Sequence, residues 1–167
     1  MPVTHVHKDP VAATLTIESE WDAPVEQVWL LWADPRRLER WWGPPTYPAT
    51  VVDHDLTPGG RVNYFMTGPE GDRAGGWWRV IAVDEPTRLE FEDGFADAEG
   101  EPNMSMPTTM AVVTITPDAD SGRTRMRIES RFPSTEAMEQ MVEMGMEEGM
   151  QLAMGQIDAV LADVAAT

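Results

Sequence analysis

One long helical pattern at the C-terminal end limits the folds open to this chain. It begins near Ser134, a residue type that caps helices, and continues without a proline to about Asp163. This pattern is far longer than the average helix of ~11–12 residues. Because strand patterns occupy most of the sequence before it, this helix is the element left to cover a sheet. We therefore expect an α+β fold in which a curved antiparallel sheet wraps around one long, uninterrupted helix.

Alternating apolar and polar residues predict the strands of that sheet. The first strand runs from Thr14 to Trp21, and the last, from Arg125 to Phe132, alternates apolar with charged residues. The strand patterns between them cover residues 50–56, 61–67, 77–83, 88–95 and 110–116. Because mostly short turns separate these patterns, successive hairpins are the simplest connection.

Two short helices are predicted directly after the first strand. Asp22 offers a side-chain cap and Pro24 a first-turn proline, after which apolar residues recur at helical spacing. Asp34-Pro35 repeats this start signal, and the second helix is expected to end at Gly43. A pair of helices is therefore expected to separate the first strand from the rest of the sheet.

The chain is predicted to form one domain with a flexible start. Residues 14–164 carry all of the strand and helix patterns, and 167 residues with 42% hydrophobic content suit a single core. Residues 1–13 are polar and are expected to be a flexible tail. The acidic segment from Ala96 to Pro107 has no period, so we expect a loop long enough to cover a pocket mouth.

The composition excludes several classes of function. Cysteine is absent, which removes disulfides, thiolate metal sites and cysteine nucleophiles. The formal net charge of -17 would repel phosphate backbones and anionic lipids, so neither nucleic acid nor a membrane is an expected partner. No apolar run approaches the ~20 residues that span a bilayer, and a cytoplasmic location is expected. No cofactor motif or metal site is recognised, and an exposed edge strand leaves a homodimer conceivable.

Several segments together resemble a known family. Residues 22–29, 32–35 and 38–44, the last with the motif Trp41-Trp42-Gly43-Pro44, are similar to the SRPBCC (START-like) superfamily and, within it, to the branch homologous to the activator of the heat-shock protein 90 ATPase. Residues 55–61 and 144–150 resemble that branch too. The resemblance runs from about Thr14 to Leu161 and implies a helix-grip fold with a deep hydrophobic cavity between sheet and long helix. It implies less about activity, because members include lipid carriers, polyketide cyclases and a co-chaperone domain.

The candidate ligand-binding residues lie on inward strand faces and near helix ends. Trp42 is placed at a helix end beside Gly43-Pro44, and the long helix carries a smooth stripe of small residues at fourfold spacing. The candidates are Trp32, Trp42, Tyr64, Met66, Trp78, Phe91, Met126, Gly145, Gly149 and Ala153. Some of them are expected to be core and some cavity wall, and the sequence alone does not divide them.

Catalysis would need a polar group inside this apolar shell, because a buried acid or base has a shifted pKa and can transfer protons to or from a bound molecule. His54 and Tyr64 are the candidates, although a lone histidine on a strand is more often structural. The acidic residues Glu90, Glu92 and Asp93 lack the spacing of a calcium site and are interpreted as solvated surface.

Three functions remain open from the sequence. The first is binding of a small hydrophobic molecule in the internal cavity, without catalysis. The second is a cyclase- or hydrolase-like enzyme acting on an apolar substrate, which predicts that His54 or Tyr64 faces the cavity. The third is a protein-interaction role resembling that of the co-chaperone. The eukaryotic co-chaperone carries a second, client-side domain, and the expectation of a single domain here counts against this role.

Overall fold

The computed structural model describes residues 3–165, whose eight strands form one antiparallel sheet. The strands are β1 (Val3–Asp9), β2 (Thr14–Trp21), β3 (Ala49–His54), β4 (Arg61–Thr67), β5 (Arg73–Asp84), β6 (Arg88–Ala96), β7 (Thr109–Pro117) and β8 (Thr124–Arg131). Their order across the sheet is β1-β2-β8-β7-β6-β5-β4-β3. Every strand from β3 to β8 pairs with its sequence neighbour, as expected for successive hairpins.

The two short helices lie where the sequence predicts them. They are α1 (Val25–Ala33) and α2 (Pro35–Trp41). The Asp34 side chain accepts a hydrogen bond of 2.9 Å from the backbone N–H of Arg36, and Pro35 occupies the first turn of α2. The cap expected from Asp22 is not formed, because α1 begins after Pro24 without a side-chain cap. The α+β helix-grip class is confirmed.

The N-terminal segment differs from the flexible tail expected over residues 1–13. Val3–Asp9 forms β1, an edge strand that pairs with β2 from Val3 opposite Ser19 to Asp9 opposite Thr14. Lys8 also reaches the C-terminal helices, where its Nζ lies 2.8 Å from a carboxylate oxygen of Glu147. The polar residues of this strand misled the sequence prediction, because an edge strand can expose much of its surface.

The C-terminal helical region is divided, which corrects the expectation of one uninterrupted helix. It consists of α3 (Thr135–Glu143), α4 (Met146–Met154) and α5 (Ile157–Ala165). The first break is at Gly145, whose φ of +92° lies in the left-handed region that glycine adopts at low cost. The Ser134 hydroxyl caps α3 as expected, 3.1 Å from the backbone N–H of Ala137.

Substitution of two glycines of this region by alanine should change the free energy of unfolding in opposite directions. A Cβ would meet no atom within 4 Å at either Gly145 or Gly149, so only the backbone differs. We expect Gly145→Ala to lower the free energy of unfolding by about 1–2 kcal/mol, because a left-handed φ strains a residue with a Cβ. Gly149→Ala should raise it by about 0.5–1 kcal/mol, because alanine is the better helix former. Urea unfolding measures both, and effects of equal sign would contradict this account.

The core between sheet and helices contains a cluster of aromatic rings. The Trp32 ring is fully buried, and its centroid lies 4.8 Å from that of Trp41 and 5.6 Å from that of Trp42. Trp78 stacks on Phe91 with 4.0 Å between centroids. We call this group the aromatic cluster: Trp32, Trp41, Trp42, Tyr64, Trp78 and Phe91. It joins α1 and α2 to the inner face of the sheet.

Among residues 3–165, no helix combines the length and apolar character that crossing a bilayer requires.

Candidate functional site

A cavity of about 250 Å³ lies between the inner face of the sheet and the helices α3 and α4. Its wall is largely apolar, with one carboxylate and one phenol. The lining residues are Trp42, Pro44, Tyr64, Met66, Asp93, Phe95, Thr109, Met141, Met144, Gly145, Met146, Gly149 and Met150. Met144 is 56% exposed, so the cavity opens to solvent on that side. A hollow of about 90 Å³ adjoins it and shares Tyr64, Asp93 and Met141.

The helical wall of the cavity is rich in methionine. Met141 of α3 and Met146 and Met150 of α4 face the sheet across the cavity, with Gly149 between the last two. Flexible, polarisable thioethers adapt to ligands of different shape. The absence of a side chain at Gly149 also leaves space, because no atom lies within 4 Å of where its Cβ would be. This wall therefore provides an adaptable apolar surface.

Tyr64 and Asp93 form the polar part of the wall. Tyr64 lies on β4 and Asp93 on β6, so the phenol must cross the intervening strand β5. It does so over Gly76, which pairs with Tyr64 and whose Cβ, if present, would overlap the phenol ring. The Tyr64 hydroxyl donates a hydrogen bond to Oδ1 of Asp93 at 3.2 Å. Gly76 is thus the residue that permits this contact.

Burial changes the acid–base behaviour of both groups. Loss of hydration raises the pKa of Asp93 to about 7, although hydrogen bonds from Tyr64 and the backbone N–H of Gly94 favour the carboxylate. Burial, followed by the charge of Asp93, raises the pKa of Tyr64 well above its usual value. Asp93 can therefore change its protonation state near neutral pH, whereas Tyr64 remains a phenol.

Two indole N–H groups lie beside this pair. The N–H groups of the Trp42 and Trp78 indoles lie near the Tyr64 oxygen and favour its ionised form. They therefore lower the pKa of Tyr64, in opposition to burial. Their Nε1 atoms are buried, and neither completes a hydrogen bond within residues 3–165. A buried N–H without a partner is costly, and such groups are rare. The Tyr64 hydroxyl is therefore surrounded by hydrogen-bond donors on one side and by Asp93 on the other.

The structure divides the ten ligand-binding candidates into two sets. Five of them line the cavity: Trp42, Tyr64, Met66, Gly145 and Gly149. The other five are at most 1% exposed and belong to the packed interior outside that wall: Trp32, Trp78, Phe91, Met126 and Ala153. Of the expected stripe of small residues, Gly145 and Gly149 therefore line the cavity, whereas Ala153 packs in the core.

His54 does not line the cavity, unlike the other catalytic candidate, Tyr64. A ring nitrogen of His54 lies 2.9 Å from the backbone carbonyl oxygen of Trp32. A bulge between Val51 and Asp53 interrupts the alternation of β3, and Val52 is 61% exposed. His54 is therefore hydrogen-bonded to the backbone and lies outside the cavity wall.

Asp93 is the site residue that the sequence interpretation missed, because it was assigned to solvated surface. The period-two rule already contained the signal. Leu89 and Phe91 point inward, so Asp93, two residues further along β6, shares their face. Its half-buried side chain lines the cavity, which corrects the earlier interpretation.

A larger hollow of about 640 Å³ lies beside the acidic loop that follows β6. The Asn63 amide donates a hydrogen bond to the backbone carbonyl oxygen of Gly100 at 2.9 Å and holds the loop beside this hollow. The loop therefore does not cover the methionine wall. The lining of the hollow includes six charged residues, among them Asp53, Arg61, Arg73 and Glu101, and its wall is far more polar than that of the 250 Å³ cavity. An apolar ligand would therefore cover more polar groups here without replacing their hydrogen bonds.

Within residues 3–165, no three histidine or acidic side chains lie close enough together to hold a metal ion.

Comparison with known proteins identifies the family. The sequence profile of the family described as "Activator of Hsp90 ATPase homolog 1-like protein" matches residues 22–162. None of the curated proteins compared with the chain matches it. The crystal structure of protein Ms6760 from Mycobacterium smegmatis is 51% identical, over 96% of this chain and 97% of that one, with a TM-score of 0.88. A protein from Arthrobacter aurescens, solved by NMR, is 52% identical over 96% and 92%, with a TM-score of 0.91.

A more distant relative shares the fold. The crystal structure of the AHSA1 protein from Silicibacter pomeroyi is 24% identical over 90% of this chain and 98% of that one, with a TM-score of 0.71. At this identity the likeness concerns the fold alone. Together with the profile match over most of the sequence, these structures place the chain in the family of activator of Hsp90 ATPase homolog 1-like proteins, within the SRPBCC superfamily.

Proposed function

We propose that the protein binds a small, mainly hydrophobic molecule in the 250 Å³ cavity between its sheet and α4. The observation that carries the proposal is the cavity itself, which is lined by Trp42, Met141 and Met150 and opens to solvent near Met144. Sites for small molecules are typically concave and apolar with few polar groups, and this cavity fits that description. Its volume favours a ligand smaller than a typical drug-sized molecule.

A second candidate function, a cyclase- or hydrolase-like enzyme, is supported by the Tyr64–Asp93 pair. Asp93 is a carboxyl group whose pKa of about 7 suits proton transfer at neutral pH. It lines the cavity beside the Tyr64 phenol, so a bound substrate would meet both groups. In this case the molecule bound in the cavity would be transformed as well as held.

Filling the cavity from α4 tests the binding proposal. We expect Gly149→Phe to abolish binding, because its side chain would occupy the space between Met146 and Met150. Gly149→Ala is the matched control, since it adds one methyl group at the same position. The measurements are native mass spectrometry of gently purified protein and titration with N-phenyl-naphthylamine, a neutral apolar fluorophore.

Different outcomes separate the candidate functions. Binding by the wild type and by Gly149→Ala, with loss in Gly149→Phe, would support ligand binding in this cavity. Equal binding by Gly149→Phe would place the ligand elsewhere and overturn the proposal. Release of a co-purified molecule in chemically altered form after incubation, together with loss of that change in Tyr64→Phe, would favour the enzyme.

A further inference from the structure

The sulfur atoms of this chain are all thioethers. The sequence has 12 methionines and no cysteine, and six of the methionines lie between residues 138 and 154. Four of those six line the 250 Å³ cavity. Oxidation to the sulfoxide turns this apolar side chain into a polar one, and reductases reverse the change. The methionine wall is therefore the part of the binding site that an oxidant would alter.

Met144 is the cavity methionine that solvent reaches most readily. Among the methionines of residues 3–165, two are exposed: Met104, at 67%, and Met144, at 56%. Met141, on the same wall, is 9% exposed, and the buried Met138 and Met154 are at most 4% exposed. Because oxidation follows exposure, Met144 should react before the methionines that lie deeper in the wall.

Met144 also lies where a polar group would oppose ligand binding. It follows the last turn of α3 and lines both the 250 Å³ cavity and the adjoining 640 Å³ hollow, as do Tyr64 and Phe95. The thioether therefore lies at the junction of the two, where the cavity opens to solvent. Met104, in contrast, lies on the acidic loop and contributes to neither wall.

We propose that Met144 is a reversible oxidation site that regulates the cavity: its thioether form favours an apolar ligand and its sulfoxide form opposes one. The inference rests on the proposed function, since it names a regulation of the same site. The Met144 sulfur attacks one oxygen of a hydroperoxide, and the O–O bond breaks. The second oxygen takes up the proton of the first and leaves as an alcohol, or as water from hydrogen peroxide. A dithiol reductase later removes the sulfoxide oxygen as water, while its own thiols form a disulfide.

A sulfoxide at the mouth of the cavity weakens binding for two reasons. Its oxygen is a hydrogen-bond acceptor, and a bound hydrocarbon displaces water from it without offering a donor. The wall also loses apolar surface that the ligand would otherwise cover. We expect oxidation of Met144 to weaken the binding of naphthalene, a hydrocarbon without polar atoms, about fivefold.

Controlled oxidation of the purified protein tests the inference. Dilute hydrogen peroxide is applied for increasing times, and fragment mass spectrometry locates each sulfoxide. We expect Met104 and Met144 to be oxidised well before Met138 and Met154. Isothermal titration calorimetry with naphthalene should show the affinity falling as Met144 is modified. Treatment with the two methionine sulfoxide reductases, one for each epimer of the sulfoxide, should restore it.

Three variants assign the effect to Met144. Met144→Leu removes the thioether, so its affinity after peroxide treatment should equal its affinity before treatment, whatever the starting value. Met104→Leu is the matched control, because it removes the other exposed thioether from outside the cavity wall, and it should lose affinity as the wild type does. Met144→Gln introduces a polar side chain of similar length and should bind naphthalene about fivefold more weakly than Met144→Leu without any oxidation.

The outcomes distinguish this inference from the function on which it rests. Unchanged affinity in wild type oxidised at Met144 would overturn the regulation and leave hydrophobic binding standing. An equal loss of affinity when Met144→Leu is oxidised would assign the effect to another thioether and would also overturn it. If the unoxidised wild type binds neither naphthalene nor N-phenyl-naphthylamine, both proposals fail.

Discussion

Replacement of Trp32 by alanine should lower the free energy of unfolding by about 3–5 kcal/mol, the range for truncation of a large buried aromatic side chain. Trp32 is fully buried, and its ring contacts Trp41, Trp42, Trp78 and Phe91 in the aromatic cluster. The cost combines lost apolar burial with a void that this rigid group of rings cannot fill. Denaturant unfolding followed by circular dichroism measures the change.

A conservative variant of Trp32 and a surface control show whether the loss of stability comes from lost packing or from substitution in general. Trp32→Phe keeps an aromatic ring and should cost clearly less than Trp32→Ala. Leu152→Ala serves as a surface control, because Leu152 is 52% exposed and should change stability by about 0.5 kcal/mol or less. If Trp32→Ala costs no more than this control, the aromatic cluster does not contribute to stability in the way described.

The strands were predictable where one face is buried and the turns are short. The predicted strands 14–21 and 61–67 coincide with β2 and β4, because alternation and turn residues agree there. β1 was missed because it is an edge strand whose His5 and Lys8 side chains are exposed. Composition of this kind does not distinguish an edge strand from a tail.

The division of the C-terminal helix depends on information that the sequence carries only weakly. Gly145 and Gly149 are the same residue type with similar neighbours in the sequence. Gly145 nevertheless adopts the left-handed region before α4, whereas Gly149 lies within that helix. Glycine is compatible with both conformations, so tertiary contacts decide between them. One such contact is the ion pair between Lys8 and Glu147, which joins residues far apart in the sequence.

The candidate site was only partly predictable for a similar reason. Inward strand faces identified Tyr64 and Met66, but they also included Trp78 and Phe91, which stack on each other in the core. A cavity is the space that packing leaves unfilled, so alternation alone does not locate it. Asp93 was assigned outward because charged residues are rarely buried, although its position in the period-two pattern is inward.

Replacement of Asp93 by asparagine should make the protein more stable than the wild type at neutral and alkaline pH. The pKa of Asp93 is about 7 in the folded protein, whereas an unfolded aspartate titrates near ~3.9. Between these values the folded state retains a proton that the unfolded state has released, so rising pH favours unfolding. At about 1.4 kcal/mol per pH unit, the destabilisation approaches about 4 kcal/mol above pH 7.

Asparagine is similar in size and stays neutral, so this destabilisation is absent in the variant. The difference in unfolding free energy between Asp93→Asn and wild type should grow from about pH 4 to pH 7 and then become constant. Asp53→Asn, at an exposed position, corrects for the loss of one negative charge from this acidic protein and should give a nearly flat difference. Parallel profiles for Asp93→Asn and wild type from pH 4 to 8 would mean that Asp93 is hydrated and ionised in the folded state. The carboxyl group could not then exchange a proton near neutral pH, so this one comparison also tests the protonation behaviour that the candidate enzyme requires of Asp93.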